Sequence, residues 1–210
     1  MKIGIIGSGT VGSVVGPRWA SKGHAIIYGS RDPAGDKMTA LLNKIGSTAK
    51  AVETKDVANG CDAVLLATPF AATEEAIRIA GGLSGKIVLD ATNPLAKDLS
   101  GLTVGFDDSG AEQVSRWALG ARVAKVLNMT GAGNMDDPNY SGQAASMFVC
   151  GDDDKAKSVA SQLASDLGFD VVDAGPLISA RLLEPMALLW IKLAFQLGNG
   201  PDVAFGLLRR

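Results

Sequence analysis

The apolar run Lys2 to Ile6 ends in three glycines, Gly7, Gly9 and Gly12, spaced G-x-G-x-x-G in the stretch MKIGIIGSGTVGSVVG. Glycine is costly in a regular element and is favoured where the backbone must turn tightly or admit a close neighbour. A strand that stops at one glycine and restarts as a helix within a few residues predicts the first unit of a strand–helix–strand fold. In that setting Gly7 makes the turn, Gly9 lets a pyrophosphate reach the backbone, and Gly12 lets the helix close on the sheet. The amides from Ser8 through Thr10 to Val11 would then face the phosphates, helped by the helix dipole.

The remainder of the chain extends this pattern. Short runs rich in Val, Ile, Leu and Ala, apolar on both faces, predict strands at 24–28, 63–67, 86–90, 122–127, 145–150 and 170–173. Helical stretches are expected near 11–22, 36–45, 72–80, 110–119 and 154–167. Pro17 should kink the first of them, and Gly23 should end it. The fold class is therefore α/β: a Rossmann-type, doubly wound, mostly parallel sheet over residues 1–175. Beyond Gly175-Pro176 the chain becomes LISARLLEPMALLWIKLAFQLG, apolar nearly all round, which predicts a small helical carboxyl-terminal extension over 176–210. A helix without a polar face has to be buried, on its own domain or on a second subunit.

The end of the second strand decides which dinucleotide is bound. An NAD site places a carboxylate there to accept from the ribose hydroxyls, whereas this chain places Gly29-Ser30-Arg31. A guanidinium fork and a hydroxyl suit the extra phosphate of NADP(H), with Lys37 as a further contact. The alternative is that Asp32 turns back to hold the ribose of NAD. Loops at the carboxyl ends of the third and fourth strands bring in Thr68, Pro69 and Asn93. The glycine-rich connection NMTGAGNMDDPNY, with Asn128, Met129, Thr130 and Asn134, is assigned to the pocket of the second substrate.

The remaining polar residues narrow the chemistry. A formal charge of -2 leaves no basic surplus for a nucleic-acid backbone, and no apolar span is long enough for a bilayer. Cys61 and Cys150 read as buried free thiols, consistent with a cytoplasmic protein. The single histidine, His24, reads as structural, Asp153 or Asp154 as a helix cap, and no Cys/His cluster has metal-ligand spacing. No catalytic residue is assigned: Lys192 is the one candidate for proton transfer, and a cofactor that carries the chemistry needs little such help.

These stretches, IGIIGSGTVG, GSR, DATNPL and above all DAGPLISARLLEPMALLWIKLAF, resemble the NADP oxidoreductases dependent on the deazaflavin coenzyme F420. The resemblance covers essentially the whole length. It implies a homodimer in which the deazaflavin ring stacks on the nicotinamide for direct hydride exchange. It also implies NADP contacts at Ser8 to Val11, Ser30, Arg31, Lys37, Thr68 and Pro69, with the deazaflavin side at Asn93 and 128–134. The amino-terminal NADPH domain of metalloreductases is similar too. A reductase of a flavin, quinone or small carbonyl or imine, and a non-catalytic NADPH sensor, remain alternatives at this point.

Overall fold

A computed structural model describes residues 1–210. The elements run β1 (Lys2–Ile6), α1 (Thr10–Ser21), β2 (Ala25–Ser30), α2 (Asp36–Ile45), β3 (Ala49–Glu53), β4 (Ala63–Leu66), α3 (Thr73–Ile79), β5 (Ile87–Asp90) and α4 (Gly110–Trp117). They continue β6 (Arg122–Lys125), α5 (Ala132–Asp136), β7 (Asn139–Tyr140), β8 (Gln143–Ala144), β9 (Ser146–Gly151), α6 (Asp154–Leu167), β10 (Asp170–Asp173) and α7 (Ala180–Ile191). One eight-stranded sheet has the order β10-β9-β6-β5-β4-β1-β2-β3. All its pairs are parallel except β6 with β9, so the last two strands run against the rest. β7 and β8 form a separate small hairpin.

The side chains of the central strands alternate between two cores, as the two-residue period of a strand requires. Ile3 and Ile5, Leu65, and Leu89 face the layer of α1, α2 and α6, against Trp19, Met38 and Leu163. Ile6, Leu66 and Val88 face the layer of α3, α4 and α7, against Ile77, Val114 and Leu183. Each fully buried Leu or Ile contributes about 1.5–3 kcal/mol relative to exposure. This two-sided covering is why the strands read as continuous apolar runs.

Two differences from the sequence reading have physical causes. β3, with the sequence AKAVE, gives no strand signal in the sequence, because an edge strand that is half exposed shows no apolar run. α1 runs through Pro17 to Ser21. Its second half is held by packing: Trp19 is fully buried, and its indole N–H donates to the Leu163 carbonyl at 2.9 Å.

Candidate functional site

After β3 the chain crosses back over β1 to build β4 on the other side, which makes the carboxyl ends of β1 and β4 the switch point of the sheet. A crevice is expected there. A cleft of about 600 Å³ lies at this place. Gly7, Ser8 and Gly9 line it from the β1–α1 turn, Ser30, Arg31 and Lys37 from the end of β2 and the start of α2, and Thr68 and Pro69 from the end of β4.

The three glycines differ in what surrounds them. Gly7 has φ +111°, and a Cβ there would run into the Ala67 carbonyl of β4's extension. A Cβ on Gly12 would strike the Gly7 carbonyl oxygen, so α1 can sit this close to the sheet only without a side chain. At Gly9 a Cβ would meet nothing within 4 Å, which leaves open space over the backbone. The ladder of α1 opens with Ser13 N–H donating to the Gly9 carbonyl at 3.0 Å. The amides of Thr10, Val11 and Gly12 therefore precede it and have no helical acceptor. The helix has neither a capping side chain nor an acidic residue in its first turn. An anion is the natural complement.

At the other end of the cleft, Ser30 closes β2 and Arg31 follows, exposed. Neither Arg31 nor Lys37 takes part in any ion pair or side-chain hydrogen bond of the protein, so their donors are free. The Asp32 carboxylate folds back onto Gly35 at the start of α2, and its backbone N–H donates to Ser30 Oγ at 3.1 Å. The donor set and the open backbone fit a dinucleotide carrying an additional phosphate.

The residues assigned to a second substrate sit differently. Asn128 and Asn134 are buried, and so is Met129. Asn128 donates to Asn93 Oδ1 at 3.0 Å and to the Leu183 carbonyl at 2.9 Å. Asn134 donates to Thr130 Oγ1 and to the Val203 carbonyl, both at 2.8 Å, and accepts from the Tyr140 hydroxyl at 2.9 Å. The stretch read as a long loop contains α5 and opens the β7–β8 hairpin, and these side chains hold it to α7 and the tail. Only Thr130 and the half-exposed Asn93 keep contact with solvent. Asn93 itself lies outside the cleft walls, one strand over from Thr68, and donates to the Asn128 carbonyl at 2.8 Å.

Other polar residues also find their places. His24 lies within 2.8 Å of Asp166 Oδ2 through Nε2 and within 3.2 Å of the chain's amino group through Nδ1. Asp153 caps α6 by accepting from the Ala156 amide at 2.8 Å. Cys61 and Cys150 are free and buried, and burial pushes the Cys150 thiol up to about 12. Lys192 does not lie in an apolar interior. It is exposed at the end of α7, where a π turn, Lys192–Gln196, begins.

The charged residues of α7 are the feature sequence reasoning missed. Arg181 forms a two-pronged pair with Glu112 of α4, at 2.9 and 2.7 Å. Glu184, 1% exposed, pairs with Lys125 at 2.7 Å. The sequence signal was available: a Lys at the end of a buried strand and a Glu in an apolar helix both require partners.

Comparison with known proteins agrees with this geometry. A family model described as NADP oxidoreductase, coenzyme F420-dependent, matches residues 2–94. The F420-dependent NADP reductase of Methanocaldococcus jannaschii is 31% identical over 207 residues, spanning 92% of this chain and 92% of that protein. Metalloreductase STEAP3 of Rattus norvegicus is 28% identical over 187 residues, 89% of this chain, and the chain spans only 36% of that longer relative. A crystal structure from Arthrobacter sp. FB24, assigned provisionally to the F420-dependent NADP-reductases, superposes with a TM-score of 0.89 at 33% identity over 100% of both chains. With a relative of that identity matched over nearly its full length, and with the switch-point cleft in place, the chain belongs to the family of coenzyme F420-dependent NADP oxidoreductases.

Proposed function

We propose that the protein binds NADP(H) in the switch-point cleft and exchanges a hydride between its nicotinamide and a deazaflavin of the coenzyme F420 type. The observation that carries the donor half is the unpaired Arg31, beside Ser30 and Lys37, at one end of a cleft whose other end is the open backbone at Gly9. When bound, NADPH supplies the hydride, and the acceptor takes that hydride and a proton from water. The chain's own part is binding and orientation. Amides at the start of α1 hold the pyrophosphate, and Ser30, Arg31 and Lys37 hold the 2′-phosphate. Thr68 and Pro69 run along the ribose, and Asn93 and Thr130 border the acceptor. Holding two reactants in a near-attack geometry is itself a large part of a barrier, so no acid or base from the protein is required.

The partner in this reading is a second copy of the chain. α7 turns Leu183, Ala187 and Trp190 inward, but Leu182 is 69% exposed and Leu189 is 47% exposed on its outer face, continued by Ile178 at 51% and Phe195 at 62%. An apolar stripe of that kind suits a homodimer interface. Buried free thiols suit a cytoplasmic location.

The test is an acceptor screen under NADPH excess, following loss of the deazaflavin's visible absorbance. Rapid bleaching of coenzyme F420, with slow or no turnover of free flavins, quinones, carbonyls and imines, is expected. Turnover with one of those and none with the deazaflavin would replace the acceptor. Tight NADPH binding without turnover of any acceptor would point instead to a nucleotide sensor.

A further inference from the structure

Under the carboxyl edge of the sheet, three charges are enclosed together. Lys125, the last residue of β6, and Asp90, the last of β5, are both fully buried, and Glu184 of α7 almost so. The Lys125 ammonium donates to Asp90 Oδ2 at 2.8 Å and to the Thr92 carbonyl at 2.8 Å, and lies 2.7 Å from Glu184 Oε1. Asp90 Oδ1 accepts from the Thr92 amide at 2.9 Å and from the Thr92 hydroxyl at 2.6 Å. Glu184 also accepts from the amides of Gly110 and Ala111, which open α4, at 2.9 and 3.0 Å. Burial pulls the Lys125 ammonium down, but Asp90 and Glu184 on either side more than restore it, so the lysine stays charged.

A second strut runs beside the first. Asn93 and Asn128 exchange hydrogen bonds, and Asn128 also donates to the Leu183 carbonyl. Leu127 takes a left-handed conformation, φ 62°, to turn Asn128 inward, and such strain in a non-glycine residue persists where the surroundings demand it. Thus two consecutive residues of α7, Leu183 and Glu184, hold two consecutive residues of the turn after β5, Thr92 and Asn93.

Stability alone is a weak account of this arrangement. Burying three charges is costly, and well-packed apolar residues commonly serve as well. What the arrangement does achieve is to fix every polar group of Thr92, through Asp90 Oδ1 and the Lys125 ammonium, while the Asn93 backbone N–H has no acceptor in the protein. The register pairs Leu66 with Asp90, and Ala91 N–H donates to the Leu66 carbonyl at 3.1 Å, so the turn lies beside Thr68.

We infer that Glu184 and Lys125 are positioning residues, which through Thr92 and Asn93 set the surface against which the nicotinamide half of NADP(H) lies. This rests on the NADP(H) reading above. The experiment compares NADPH with 2′,5′-ADP, which has the adenosine half and the extra phosphate but no nicotinamide. On Glu184→Gln, the dissociation constant for NADPH should rise about tenfold, the scale of one lost hydrogen bond, while that for 2′,5′-ADP stays within about twofold. Where that variant does not fold, the neutral set Asp90→Asn, Lys125→Met and Glu184→Gln leaves no unpaired charge and carries the same expectation. A parallel change for both ligands, or none for either, overturns the inference. Wild-type protein that binds 2′,5′-ADP as tightly as NADPH also overturns it but leaves the donor assignment standing. Failure to bind either ligand removes the NADP(H) reading and this inference with it.

Discussion

Replacing Arg31 by alanine should weaken the protein's preference for NADPH without disturbing its fold. The side chain is exposed at the end of β2 and pairs with no residue of the chain, so its removal leaves nothing buried and unsatisfied. What is lost is a charge-assisted contact to the 2′-phosphate, worth about 1.5–3 kcal/mol. That corresponds to a rise of roughly 10- to 150-fold in the dissociation constant for NADPH. Ser30 and Lys37 still line the same end of the cleft, which sets the expectation toward the smaller figure. NADH lacks that phosphate and should bind wild type and variant alike. Arg31→Lys keeps the charge but loses the planar fork, and should fall between them. The assay is a titration followed by nicotinamide fluorescence or calorimetry, at two salt concentrations. The NADPH advantage of the wild type should shrink at the higher salt, and that of the variant, which keeps only Lys37 as a cation there, should shrink less. Equal losses for NADPH and NADH, or wild-type protein that prefers NADH, would refute the reasoning.

Three other perturbations follow from the same geometry. Gly12→Ala should destabilise the fold by about 1–3 kcal/mol as an overpacked contact, because its Cβ meets the Gly7 carbonyl and backbone does not give way; an unchanged melting temperature would contradict this. Leu182→Asp should leave folding intact, since the side chain is 69% exposed, and should turn the proposed homodimer into a monomer in sedimentation. Hydrogen bonding from Arg181 holds the Glu112 carboxyl below its usual range. Stability from that pair is present above the unfolded value of about 4.3 and is lost as pH falls through the lower folded value. Glu112→Gln should therefore be less stable near neutrality, with the two denaturation profiles converging in acid.

How much of this could be read from the residues alone depended on whether the signal was local. Gly7, Gly9 and Gly12 announce turn, opening and close approach within a few positions, and Arg31 stands where the chain leaves β2. Buried strands such as Ala63–Leu66 are visible because covering on both faces demands an unbroken apolar run. β3 escapes because its alternation of Ala, Lys and Glu at a half-exposed edge is satisfied by backbone pairing to β2. Pro17 signals a break that the buried Trp19 overrides. Asn128 and Asn134 look like ligand contacts in a polar loop, and only three-dimensional packing turns them onto Leu183 and Val203. Glu184 looks like an interruption of an apolar helix until Lys125, distant in sequence, is brought beneath it.

The most direct test of the account is a crystal structure of the complex with NADPH. The account predicts the pyrophosphate over Gly9 and the first amides of α1, and the 2′-phosphate held by Ser30 and Arg31. A guanidinium turned to bulk water, with the Asp32 carboxylate gripping the ribose hydroxyls, would contradict it.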